Sequence, residues 1–368
     1  MAGFPCTPFS GMSNRRWKEG YNPLEHADAA AFLGLRRFLS QKEPVHKTRD
    51  SSPHAVLLEN VAGVLSRSSA NPGAPTAAEQ IMNGVLVKPD GKKDIKYGLK
   101  FLKGYRVKMF GPLSGKTVGI PFERARCFWL LLSKARYTQE HLEAWHQNAA
   151  YLASRAIKPK PATDYFAAER VSDDADPNDD ADPSCESGSD SDLAETAGPL
   201  RKKQRVALQH AAATFRKAHG LAKFGSAGGH PYSSSASDDI RRRLTARELD
   251  VLDSAFLYLQ KFEKCIPDSL AVDVSQSPSR MPWRTLGNLP SPIKRSLIWY
   301  KGRVLDPATM FYLMGWPQDS LRLPKLKTTE MRALIGNMCC PPQAGLVIAA
   351  FLAIHPEFSI TGQIPPEQ

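Results

Sequence analysis

Three short stretches hold side chains able to attack, protonate or clamp a ligand. In Gly3-Phe-Pro-Cys-Thr-Pro-Phe-Ser-Gly11 a thiol follows proline in a turn-rich loop. Pro5 fixes its own φ and stiffens that loop. Cys6 is then either an exposed nucleophile, once a neighbour lowers its pKa, or a small buried hydrophobe. In Leu57-Leu-Glu-Asn-Val61 an apolar run ends in an acid and an amide. Ligands of open α/β sheets bind at strand ends, where Glu59 can give or take a proton; the alternative is a polar residue that merely closes a buried strand. In Phe122-Glu-Arg-Ala-Arg126 the two arginines are separated by one residue. Alternation along a strand puts Arg124 and Arg126 on one face, suited to phosphate or base-oxygen contacts, or to a solvated strand end.

The elements that would position these groups follow from periodicity. The pattern predicts a helix over 28–39, strands over 54–59, 105–110 and 127–132, and a helix running from an N-cap at Thr138 to about Ser154. Alternating strands and helices predict an α/β sheet. Farther on, Thr245 and Glu248 spell a capping box inside an amphipathic stretch, 241–262. An apolar helix over 344–353 must be buried against something.

The whole chain has 368 residues, 49 Lys and Arg against 37 Asp and Glu, and a net charge of +12. The stretch 171–192 holds nine acids and no base, so the rest of the chain is more basic still. A basic body with an acidic insert suits a partner that is a polyanion, or serves solubility. The region 169–198 has too little apolar content to offset the entropy of ordering and reads as disordered. Arg201-Lys-Lys-Gln-Arg, directly after it, reads as a nuclear import signal or a phosphate-contacting patch. Six cysteines without a C-x-x-C pair argue against structural zinc. No apolar run approaches the roughly 20 residues that span a bilayer, and the first residues lack a basic-then-apolar signal. A soluble, intracellular protein is expected, with no membrane and no metal.

Taken together and in this order, the Pro5-Cys6 loop with Phe9-Ser10, Glu59-Asn60-Val61 with Gly63, the 122–126 arginine motif and the late Gly336-Asn337 resemble the DNA (cytosine-5) methyltransferase family. A further family motif has two candidate places. Arg242-Arg-Leu-Thr245 lacks the spacing to a Gly-Phe-Pro, whereas Arg303-Val-Leu-Asp-Pro-Ala-Thr through Leu313-Met-Gly-Trp-Pro317 keeps frame and spacing, and is the one assigned. Thr7 and Phe122 stand where the family usually has glutamine, and Asp306, Ala308 and Thr309 replace its Thr, Arg and Glu. The family's Phe-x-Gly-x-Gly turn, the acidic strand end after it and a strand ahead of Cys6 are not found.

What the resemblance implies is an α/β, partial Rossmann-like (class I) S-adenosylmethionine-dependent methyltransferase fold that lacks its first strands. Residues 1–135 would form the catalytic sheet, 136–300 the inserted target recognition region, and 301–358 the return to the catalytic domain. Such a sheet should have an unpaired edge and an uncovered apolar face opposite helix 344–353, so that the chain is insoluble, paired with a missing N-terminal half or second subunit, or incomplete. The implied partner is double-stranded DNA in the nucleus, the cofactor S-adenosylmethionine. By the family's roles Cys6 adds to C6 of a flipped cytosine, Glu59 meets N3 as proton donor and Arg126 meets O2. Arg124 supports the loop and backbone, Asn60 holds the loop of Pro5 and Cys6, and Asn337 touches the cofactor. Two other classes stay open: a non-catalytic DNA-binding or partner protein derived from a methyltransferase, and a cysteine hydrolase. The hydrolase would need a histidine partner for Cys6, and none of the nine histidines lies in such a motif.

Overall fold

The computed structural model describes residues 2–3, 27–41, 53–67, 73, 75–86, 95–155, 157, 210–221, 244–264, 270–285, 289, 291–292, 298–300, 303–317 and 328–355. The acidic segment 169–198, the basic run at 201–205, Pro5 and Cys6 lie outside them. The fold is mixed α/β, and the chain divides into two compact units. One comprises 1–120, 124–159 and 339–368; the other comprises 121–123 and 160–338.

The first unit is built on a sheet of four strands, β1 (Ala2–Gly3), β2 (Ala55–Val61), β5 (Tyr105–Leu113) and β6 (Arg126–Ser133), in the order β1-β2-β6-β5. A separate two-stranded ribbon pairs β3 (Val85–Leu86) with β4 (Ile95–Lys96). β1 runs parallel to β2, with Gly3 opposite Glu59; β6 runs antiparallel to both β2 and β5. β2 and β6 lie inside the sheet, and all eight residues of β6 are buried. That is why both read as nearly continuous apolar runs rather than alternating ones. The two residues of β1 correct the expectation that no strand precedes Cys6.

Alternation sorts the side chains to two faces. Val56, Leu58, Cys127, Trp129 and Leu131 meet Phe32 and Leu39 of α1 (Ala30–Gln41) and Ala78 and Ile81 of α2 (Ala77–Asn83). Leu57, Phe128, Leu130 and Leu132 meet Leu142, Trp145 and Ala149 of α3 (Gln139–Ser154), together with Val347 and Ala350 of the last helix, 341–352. The expectation of an uncovered apolar face opposite that last helix is therefore corrected. α1 and α2 cover it, because the chain between β1 and β2 and that following β2 both return to this side. Among the described residues no strand pairs with the outer edge of β1.

The second unit carries an antiparallel sheet, β10-β9-β7-β8, of short strands: β7 (Leu270–Asp273), β8 (Trp283–Thr285), β9 (Ile298–Tyr300) and β10 (Arg303–Val304). α4 (210–219) and α5 (Ala246–Tyr258) pack on it through Phe215, Val251, Leu252 and Phe256 against Leu270, Val272 and Trp283. Thr245 and Glu248 form the expected capping box. α6 (Pro307–Leu313) starts at Asp306, whose Oδ1 accepts from the Thr309 N–H at 2.9 Å. The residues that depart from the family pattern at 306–309 thus make a helix cap of their own. Gly315 has φ +87°, a backbone that favours glycine, and opens the Gly-Trp-Pro turn. α7 (Thr328–Asn337) and α8 (Pro341–Leu352) complete the described chain.

The cuts at 135 and 300 read from sequence fall elsewhere in the structure. α3 belongs with the first sheet because Trp145 is sealed against it and donates Nε1–H to the Val347 carbonyl at 3.1 Å. Residues 301–338 stay with the second unit, where Arg303 and Val304 pair with Tyr300 and Trp299; the return to the first begins at Cys339.

Candidate active site

Four segments of the first unit converge at one end of its sheet. β1 and β2 are parallel and both end there, β5 ends there, and the antiparallel β6 begins there with Arg126 opposite Val61 and Leu113. This is the carboxyl end of a parallel strand pair, where an open sheet leaves room for a ligand. The loop of Pro5 and Cys6 follows β1 in the sequence and lies outside the described residues.

Glu59 and Arg126 project from the same face of neighbouring strands, one register step apart. Nε of Arg126 lies 2.6 Å from Oε1 of Glu59, with the side chains 7% and 9% exposed. Burial pushes the Glu59 carboxyl above its usual range, against the opposing pull of Arg126 and then Arg124. The result is a carboxyl that favours its proton more than an ordinary glutamate, held against a permanent cation. Gly3 of β1 faces the same carboxyl: a Cβ placed on it would lie 3.4 Å from Glu59 Oε2.

Asn60 is buried, and its Oδ1 accepts from the Val61 N–H at 2.8 Å. Arg124 is buried as well but precedes β6 rather than lying within it, so strand alternation does not by itself set its direction. Its carbonyl accepts from the Gly115 N–H at 3.1 Å. Asn337 ends α7 in the second unit, with only its backbone described.

Several residues near this end of the sheet were not anticipated. Cys127 follows Arg126 in β6, and Cys339 and Cys340 lead into α8; all three are free thiols. Burial first, then the charge of Glu59, pushes the Cys127 thiol up to about 12, against the pull of Arg126. Burial likewise pushes Cys339 to about 12, with Glu59 and Cys340 adding to it. Cys340 is raised by burial too. These thiols stay protonated near neutral pH and are poor nucleophiles. Gln343, fully buried on α8, reaches the backbone of both β5 and the segment leading into β6. Its signal in the sequence was a lone amide inside Pro341-Pro-Gln-Ala-Gly-Leu-Val-Ile, where every neighbour is apolar, Gly or Pro.

A neutral or readily neutralised carboxyl can donate one hydrogen bond to a ring nitrogen while the guanidinium beside it donates another to an adjacent oxygen. That pairing suits an amide-like edge of a heterocycle and could take up charge developing there. Two hollows lie elsewhere. One, of about 690 Å³, is in the second unit beside His210, Phe215, His219 and Met281; the other, of about 380 Å³, lies beside Arg67, Glu79 and Met109. Glu59 and Arg126 line neither. Among the described residues no group of three or more His, Cys, Asp or Glu is placed to hold a metal ion, and no single helix is long and apolar enough to cross a membrane. No family model matches the chain, and no curated protein matches it.

Proposed function

We propose that this chain is the catalytic region of a DNA (cytosine-5) methyltransferase, acting on a cytosine flipped out of the duplex. The observation that carries the reading is the buried Glu59–Arg126 pair at the carboxyl end of β2, with β1 beside it. β1 leads, three residues on in the sequence, to Cys6.

The chemistry assigned to these residues is the activation of the ring. Flipping exposes the C6 edge at a cost of a few kcal/mol. The Cys6 thiolate forms a bond to C6, and the C5–C6 π electrons shift toward N3 and O2. Glu59, protonated, gives its proton to N3, which leaves a neutral ring with a nucleophilic C5 and a glutamate carboxylate. Arg126 balances that carboxylate and donates to O2. Asn60 and Arg124 support the backbone on either side.

S-adenosylmethionine is the methyl donor this reading implies, and it would supply the carbon that C5 takes up. The net charge of +12 supports a second reading, a protein that grips DNA phosphates through its basic body and catalyses nothing.

Duplex DNA carrying 5-azacytosine separates the two. Nitrogen in place of C5 makes C6 more electrophilic and retains the adduct without methyl transfer. The expected result is a protein–DNA band that survives denaturation and is lost in Cys6→Ser and strongly reduced in Glu59→Gln. Binding that falls steeply with salt, with no adduct at any salt, would overturn the catalytic reading in favour of the second.

A further inference from the structure

Gln343 is a buried amide on an otherwise apolar helix, and both hydrogens of its side-chain nitrogen are used. Nε2 lies 2.7 Å from the Leu113 carbonyl and 2.7 Å from the Arg124 carbonyl. Turning the amide over would set Oε1 against two carbonyl oxygens, so its orientation is fixed by its partners. Oε1 has no donor among the described residues. A buried acceptor left so carries a penalty, which an apolar residue of the same shape would avoid. Packing alone therefore does not account for an amide here.

The two carbonyls explain what the amide does. Leu113 is the first residue of β5 to pair with β6 after the ladder breaks at Phe110, and its partner is Arg126. Arg124 lies two residues before Arg126, and its carbonyl also accepts from Gly115. The backbone hydrogen bonds of a regular ladder do not extend evenly through this point. Gln343 supplies two from outside the sheet, one to the carbonyl of Leu113, which shares a rung with Arg126, and one to that of Arg124, two residues before Arg126.

We propose that Gln343 is a positioning residue that holds the Arg124–Arg126 segment in place, so that Arg126 stands against Glu59. Its role in catalysis rests on the cytosine reading above; its role in placing Arg126 rests on the two hydrogen bonds alone. α8 thereby acts on the site without touching the ligand, and the segment from Cys339 onward is tied to the first unit by a polar clamp as well as by apolar packing.

Gln343→Met tests this, because methionine keeps the length and bulk of the side chain and removes both donors. The first readout is the carboxyl titration of Glu59, followed in glutamate-labelled protein by carbon NMR and identified as the resonance missing from Glu59→Gln. With Arg126 no longer held, the midpoint should rise further above that of the parent. The second readout is the rate of adduct formation on 5-azacytosine DNA, which should fall at least about tenfold with little change in DNA affinity, as expected when a reacting group is slightly misplaced. An unchanged Glu59 midpoint in a folded Gln343→Met protein would overturn the proposal. If the parent forms no adduct, the cytosine reading fails, and the midpoint still decides the positioning role. Should Gln343→Met not fold, Gln343→Asn, with the same amide on an arm too short to span both carbonyls, decides it by the same titration.

Discussion

Glu59 and Asp273 occupy equivalent places in the two sheets: each is a buried acid at or near the end of a short, apolar strand. Their partners differ. Asp273 accepts from the Ser275 N–H and hydroxyl at 3.2 and 2.6 Å, and from Gln276 Nε2 at 2.8 Å. These donors follow it directly in the chain and make the turn after β7. Glu59 is met instead by an arginine from another strand, distant in sequence. An acid satisfied by its own turn closes a strand. An acid that faces a cation across a sheet end, with a carboxyl raised by burial, keeps the capacity to exchange a proton with something placed between or beside them. The two acids are alike in burial and differ in the origin of their partners.

The strongest way to break this contrast is to delete both acids. Glu59→Ala leaves Arg126 buried without its carboxylate, and a broken buried pair typically costs roughly 3–5 kcal/mol. Asp273→Ala releases three short-range donors that a local shift can turn to water, for about 1–3 kcal/mol. Urea unfolding of the two variants should therefore give a clearly larger loss for Glu59. Equal losses would mean that the Glu59 pair is no more than a second structural turn. A somewhat smaller effect tests the support under Arg126. Gly111 has φ +124°, and a Cβ there would come within 2.7 Å of the Arg126 carbonyl. Gly111→Ala should cost about 2–3 kcal/mol through the strained backbone, and also slow adduct formation. A variant with the parent's denaturation midpoint would show that the β5–β6 junction yields freely.

How much of this was legible in the sequence follows the same divide between local and distant. β2 and β6 were read correctly because a strand covered on both faces is apolar throughout, and the Thr245–Glu248 box because both partners lie within one turn. The strands of the second sheet, two to four residues long, carry too short a pattern to declare themselves. β1 was denied for the same reason, since two residues beside a parallel neighbour show no period. The uncovered face was expected by analogy with a larger sheet, whereas α1 and α2 close it. Within the site, Glu59 and Arg126 could be nominated singly by type and position, but that they form a pair is a matter of register between β2 and β6. Gln343 was passed over because its two partners are backbone carbonyls, which no sequence pattern marks.

The smallest effect is the most specific to Glu59, and it is read from pH. Its folded carboxyl is raised above the ordinary value of 4.5, with burial the leading cause. The sign follows from linkage: the folded state holds this proton more tightly than the unfolded one, so the contribution to stability is fully present below the unfolded value and is lost as pH rises through the folded value. The exposed Glu79 and Glu140 and the half-buried Glu143 are lowered by hydrogen bonds and act in the opposite sense, losing their contribution as pH falls. A melting curve of the parent alone mixes these. Glu59→Gln keeps an oxygen to accept from Arg126 and removes only the titration, so the difference in melting temperature between variant and parent isolates it. That difference should move in the variant's favour as pH is raised from about 4.5 toward neutrality. A difference that stays constant with pH would make Glu59 a permanently charged partner of Arg126. It would then be an acid closed in the manner of Asp273, and the addition to cytosine would lack its proton donor.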